Sequence, residues 1–186
     1  MLTPYIALLR GVNVGGKNKI AMPMLKKELE SIGFVAVRTY INSGNILFAS
    51  HTTCKTTLIQ QIENMIIARF TLHIPVSVLS VQEWEYALSC APAWWNQPSN
   101  ENTVHHAIFI IPPLTSQEIQ AIMGEGKPEY ERLAYYQNII FWSAPRATIS
   151  KTTWHKVISS PIYHGITIRN ANTTLKLLSL AKEMNF

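Results

Sequence analysis

The sequence contains no aspartate: all eleven of its acidic residues are glutamates. Chemistries that usually rest on Asp, among them Walker B magnesium binding, EF-hand loops and aspartyl phosphotransfer, therefore lose their customary ligand or base. Cysteine is nearly as scarce. Cys54 and Cys90 stand far apart with no C-x-x-C spacing, which indicates neither a disulfide framework nor a zinc ribbon. Charged residues make up only 15% of the chain and no apolar run approaches the length of a bilayer span, which argues against both disorder and membrane insertion. The apolar start of the chain is bracketed by Pro4 and Arg10 and is too short for a signal peptide, so a cytoplasmic location is expected. What is present is 186 residues, 47% of them apolar, enough for one ordinary domain or two small ones.

The order of elements reads as one unit used twice. Residues 5–10 form a short apolar run that stops at a glycine-rich loop, which is strand chemistry. Pro23 suits a first helical turn, Met24, Leu25, Leu29 and Ile32 recur near a 3.6 period, and Gly33 closes the helix. Residues 35–41 and 46–49 are β-branched and aromatic runs around Asn42-Ser43-Gly44-Asn45, a tight-turn sequence. A helix with Leu58, Ile59, Ile62, Met65, Ile66 and Phe70 on its apolar side and a strand over 75–79 complete the set. Ser80-x-x-Glu83 is a capping box that opens a connecting helix, and 91–103 reads as a linker carrying Trp94-Trp95. The order then repeats: a strand over 105–111, a helix capped by Thr115-x-x-Glu118, a hairpin about Gln137-Asn138, a helix near 151–159 and a strand over 165–168. A last helix places Ala171, Leu175, Leu178 and Ala181 on one stripe, which predicts docking on the body of the protein. The expected fold is α+β: two ferredoxin-like βαββαβ repeats with antiparallel sheets and a C-terminal helix, divided as 1–90, a linker over 91–103, and 104–186.

The strongest local signal is Gly11-Val12-Asn13-Val14-Gly15-Gly16-Lys17, which matches the first seven positions of a phosphate-binding loop. Asn18 stands where the magnesium-holding Ser or Thr belongs, and no aspartate exists to complete a metal site, so an NTPase reading fails. Glycines that accept positive φ can still align N–H groups toward an anion, with Arg10, Lys17 and Lys19 adding charge. A second polar cluster, Arg169-Asn170-Ala171-Asn172-Thr173, opens the last helix, where unpaired N–H groups suit an anion and the same residues suit capping. Asn42 and Asn45 are what a tight turn needs, and that role is favoured over a ligand role for them. His105 and His106 are strand neighbours that point to opposite faces and cannot chelate one ion, so no metal and no cofactor is expected. Cys54 opens a helix without a histidine partner, and no nucleophile–base pair or paired carboxylates emerge to name a catalytic residue.

A net charge of +5 raises nucleic acid as an alternative partner. The positive residues form no run, and the strand at 45–50 carries Phe48 alone in place of the aromatic RNA-recognition pattern, so that alternative rests on charge only. A protein-interaction module using Trp94-Trp95 is a third reading.

Three stretches, IALLRGVNVGGKNKIAM, VRTYINSGNILFAS and ITIRNANTTLKLL, resemble the signatures of a widespread, mainly bacterial family, domain-of-unknown-function family 1697. The resemblance extends from Tyr5 to Leu180 and implies an α+β protein of two related ferredoxin-like subdomains, with no established activity. The positions it marks are Arg10, Gly11, Asn13, Gly15, Gly16, Lys17, Asn42, Ser43, Gly44, Asn45, Ser150, Lys151, Thr167, Arg169, Asn170, Asn172 and Thr173. One departure occurs at Ala144-Pro145-Arg146-Ala147, where the family commonly has a glycine after the proline. The functional expectation is a binder of a small anionic or phosphorylated ligand, with Arg10, Gly15, Gly16, Lys17, Asn42, Asn45, Lys151, Arg169 and Asn170 around one shared surface.

Overall fold

The computed structural model describes residues 1–95, 102–157 and 159–184, with backbone alone at 156. The elements run β1 (Thr3–Leu9), α1 (Met22–Ser31), β2 (Val35–Tyr40), β3 (Asn45–Ser50), α2 (Lys55–Phe70), β4 (Val76–Ser80), α3 (Val81–Ser89), then β5 (Thr103–Ile110), α4 (Ser116–Met123), β6 (Arg132–Tyr136), β7 (Ile139–Pro145), α5 (Thr153–Val157), β8 (Ile166–Asn170) and α6 (Ala171–Lys182). Two four-stranded sheets result, ordered β2-β3-β1-β4 and β6-β7-β5-β8, and every neighbouring pair is antiparallel. This is the βαββαβ order in both halves, as the sequence predicts. Contacts divide the chain into two compact units, Met1–Glu85 with Lys176–Phe186, and Tyr86–Leu175. The part of the last helix from Lys176 to Lys182 thus groups with the first unit. Of the linker expected over 91–103, residues 96–101 lie outside the described residues.

In the first unit, alternate residues of β1 (Tyr5, Ala7, Leu9) share a core cluster with Leu25 and Leu29 of α1 and with Leu58, Ile62 and Ile66 of α2. Apolar residues spaced three and four apart on a helix face a strand's alternate residues, and burying them removes apolar surface from water. Phe48 stacks between Phe34 at 4.4 Å and Tyr5 at 5.5 Å, ring centroid to centroid. That aromatic therefore serves the core and offers no face to a nucleobase. Pro23 lies in the first turn of α1 and Gly33, at φ +95°, follows its end, but of the expected apolar period only Leu25 and Leu29 are buried, joined by Met22, while Met24 and Ile32 are exposed.

In the second unit, α4 begins with the expected capping box of Thr115 and Glu118. The β6–β7 hairpin turns at Gln137-Asn138, with Gln137 at φ +46°. The helix expected near 151–159 is instead a five-residue helix, α5, between 3₁₀ turns at Arg146–Lys151 and Pro161–Gly165. Thr152 is the physical reason for the late start: its hydroxyl accepts from His155 N–H at 3.2 Å, the bond of an N-cap residue. Pro161 then bars continuation.

Two further expectations require correction. Trp95 is no contact patch. It is 1% exposed, donates its indole N–H to His106 O at 2.7 Å and meets the Phe141 ring edge-on at 4.9 Å. A buried tryptophan needs exactly such an acceptor for its single polar atom. On α6, the buried apolar residues are Leu177, Leu180 and Ala181, while Leu175 is exposed. Leucines at 175, 177, 178 and 180 leave two possible apolar stripes, and the sequence reading selected the wrong phase.

Candidate functional site

The glycine-rich loop folds as a miniature β-hairpin. Val14 and Lys17 bridge across Gly15-Gly16, whose φ values of +57° and +76° give a two-residue turn with both centres left-handed. Lys17 N–H donates to Val14 O at 3.0 Å and Asn13 N–H to Asn18 O at 3.2 Å. This geometry differs from a loop wrapped around a phosphate, and it explains why the helix opens only at Met22.

Asn13 fixes the hairpin to its surroundings. Its side-chain oxygen accepts from Ile20 N–H at 2.9 Å, while its amide donates to Ile20 O at 2.9 Å and to Asn42 O at 2.8 Å. Asn18 adds a bond from its amide to Gly11 O at 3.0 Å. The 42–45 turn is tied to the same place, because Leu9 N–H donates to Gly44 O at 2.8 Å. Gly44 sits at φ +73°, and a Cβ there would lie 2.6 Å from Leu9 Cβ, so both conformation and space demand glycine. Asn45 is fully buried and donates to Tyr40 O and Ser43 Oγ, each at 3.0 Å. Arg10, Gly15, Gly16, Lys17, Asn42 and Asn45 thus belong to one knitted loop-and-turn assembly. Asn42 contributes its carbonyl and Asn45 its turn-forming amide.

Charge around this assembly is one-sided. Glu28, Glu30, Glu83, Glu85 and Glu183 each meet a lysine or arginine, and Glu63 accepts from Val76 N–H at 3.1 Å. These are all the glutamates of the first unit. Lys17 and Lys19 are exposed and enter no ion pair among the described residues. Val14, 62% exposed, stands beside them at the tip.

The expected residues of the second unit have structural tasks. Asn170 caps α6, its Oδ1 accepting from Thr173 N–H at 2.7 Å. Arg169 is 8% exposed, and Nη1 donates to Thr167 Oγ1 at 2.9 Å and to Ile168 O at 2.8 Å. Burial pushes its pKa down to about 10. Lys151 lies in the other crossover, its ammonium 5.4 Å from the centre of the Tyr130 ring. Arg169 and Asn170 are therefore neighbours at the end of β8, and Lys151 is supplied by a separate segment of the same unit.

A residue that sequence reasoning missed is Glu131. Only 3% exposed, its carboxylate accepts from the Trp142 indole at 2.7 Å, Thr153 N–H at 2.6 Å, Lys127 N–H at 3.2 Å and Trp154 N–H at 3.4 Å. It fills the start of α5 with the protein's own anion. The signal was weak, a lone glutamate ahead of a strand. Among the described residues, no three His, Cys or Glu side chains gather as a metal site, and no helix is long and apolar enough to cross a membrane.

Two antiparallel ferredoxin-like repeats with a locked basic hairpin after the first strand define the class of protein. The chain belongs to the family described as protein of unknown function (DUF1697), whose model matches residues 2–141. It is similar to a solved structure described as conserved bacterial protein SP0830 from Streptococcus pneumoniae, at 34% identity and a TM-score of 0.86, over 97% of this chain and 99% of that one. No curated protein matches the chain.

Proposed function

We propose that the protein binds a small anionic or phosphorylated ligand at the hairpin of the first unit, with Lys17 as the main contact and Arg10 and Lys19 adding to the field. The supporting observation is the engagement of every glutamate of that unit elsewhere, so that among the described residues the two hairpin lysines have no ion-pair partner. A Gly-Gly tip also lets an oxyanion approach the backbone without meeting a Cβ. Asn13, Asn42 and Asn45 hold the turn in place, so ordering it costs the ligand little.

A thermal-shift titration with pyrophosphate, ribose 5-phosphate and ATP tests this reading. A ligand at about a hundred times its dissociation constant adds about 2.7 kcal/mol of stability. We expect a saturable rise that Lys17→Ala abolishes and Lys19→Ala weakens. Lys26→Ala, whose lysine already pairs with Glu30, and Lys27→Ala should leave it intact. Lys151→Ala and Arg169→Ala complete the series for the second unit. If no phosphorylated probe shifts the protein, the proposal fails. Equal losses in all the lysine variants, with RNA binding that falls steeply with salt, would replace it with nucleic-acid binding.

A further inference from the structure

Each sheet has two edge strands, and an edge presents backbone N–H and C=O groups that natural proteins usually blunt. Three of the four edges here are blunted. On β2 the register breaks between Val35 and Arg38, with Ala36 at φ +53°, an irregularity that interrupts the edge. On β4, Val76 N–H is taken by the Glu63 carboxylate at 3.1 Å. On β8, Ile168 O is taken by the Arg169 guanidinium at 2.8 Å.

On the fourth edge, β6, the described residues supply no such device. Its pairing with β7 runs unbroken from Arg132↔Ser143 to Tyr136↔Ile139. The outward groups follow from alternation. Ile110 N–H donates to Asn138 O at 2.9 Å, so Ile108 and Ile110 bond toward β7, and Ile140 and Trp142 bond back toward β5. Ile139 and Phe141 then bond to Tyr136 and Ala134, which leaves the N–H and C=O of Leu133 and Tyr135 pointing out of the sheet. Among the described residues, no hydrogen bond from outside the sheet reaches these backbone groups.

A cleft of about 620 Å³ runs along this edge. Arg132, Leu133, Ala134 and Tyr135 line it in succession, which is possible only beside a strand, since consecutive side chains point to opposite faces. Gln120 of α4 forms one wall and the half-buried Trp94 another. Arg132 lies at one end. Glu125 lines the other, next to Gly124, whose carbonyl accepts from the Tyr135 hydroxyl at 2.7 Å.

We propose that the β6 edge is a docking site for one extended peptide segment of a partner protein, which adds a fifth strand to the second sheet. Its backbone pairs with Leu133 and Tyr135, its alternate side chains face the α4 wall and Trp94, and an acidic residue meets Arg132 while a basic one meets Glu125. A recess walled on both sides admits a single strand more readily than the edge of another sheet, which favours a peptide over a second copy of this chain. The proposal stands apart from the hairpin site and tests separately.

The test uses the full chain and amide hydrogen exchange followed by NMR. In the free protein, Leu133 and Tyr135 amides should exchange quickly while Ala134 and Tyr136 are protected. The probes are two synthetic peptides of alternating valine and threonine, one with glutamate first and lysine last, the other reversed. One charge order should bind one-to-one and slow the Leu133 and Tyr135 amides by about tenfold or more. Tyr135→Pro, which removes an outward N–H, should weaken that binding by about tenfold, and the exposed Arg132→Glu should reverse the charge preference. The proposal is overturned if neither peptide binds, if the two amides are already slow in the free monomer, or if they become slow through dimerisation alone.

Discussion

At the scale of single residues, glycine and asparagine define the hairpin region through backbone conformation. Gly44 and Gly15 separate the two costs a side chain can impose. At Gly15 a Cβ meets nothing within 4 Å, so Gly15→Ala carries only the strain of φ +57°, about 1 kcal/mol. At Gly44 the same strain is joined by collision with Leu9, and Gly44→Ala should cost about 2–4 kcal/mol. Urea unfolding of the two variants measures the difference, and equal midpoints would refute this account of the turn. Asn13 has an equally definite task, since aspartate in its place would set a carboxylate against the carbonyls of Ile20 and Asn42.

At the scale of elements, the N-terminus of α6 offers a clean comparison. Asn170→Ala removes the acceptor for Thr173 N–H and should cost about 1 kcal/mol, whereas Asn172→Ala, at an exposed position, should stay within about 0.5 kcal/mol. Thermal unfolding of the pair decides it. Asn170 also shows how far the sequence could be read. Capping and anion binding use the same N–H groups, so the residue type alone could not separate them. The strands and hairpins were legible because β-branched runs ending in Asn-Ser-Gly-Asn or Gln-Asn admit few alternatives. Both capping boxes were legible for the same reason: two side chains at a fixed offset specify one geometry. Elements set by distant partners were not legible. Trp95 looks exposed in a proline-rich stretch until His106 supplies its acceptor, and α5 is shortened by a cap that no periodicity marks. At the hairpin, the G-x-x-x-x-G-K spacing pointed to a phosphate loop, while the Gly-Gly pair and flanking asparagines produced a locked turn. What survives of the candidate site is its charge.

At the scale of the whole molecule, acid should act through the adjacent histidines of the second unit. His105 and His106 are held below the ordinary value of 6.5 by burial, His106 also by the positive charges of His105 and Arg146. His106 lies flat against Trp142 at 5.5 Å. Because the unfolded chain takes up protons at these positions more readily than the folded one, stability is full above about pH 6.5 and falls as pH drops toward the lower folded-state values. The urea midpoint should therefore decline between pH 7.5 and 5.5, and His106→Gln should flatten the decline. A slope unchanged by that substitution would exclude the mechanism. The two halves also differ in their second crossover. The first unit uses a sixteen-residue helix, α2, that spreads its grip over Leu58, Ile62, Met65 and Ile66. The second replaces it with short turns gathered on Glu131, and one substitution there strips Trp142, Thr153 and Trp154 of a shared acceptor at once. The first half spreads its crossover packing over several side chains and the second concentrates its on one carboxylate, so conservative apolar exchanges along α2 should be tolerated better than any exchange at Glu131.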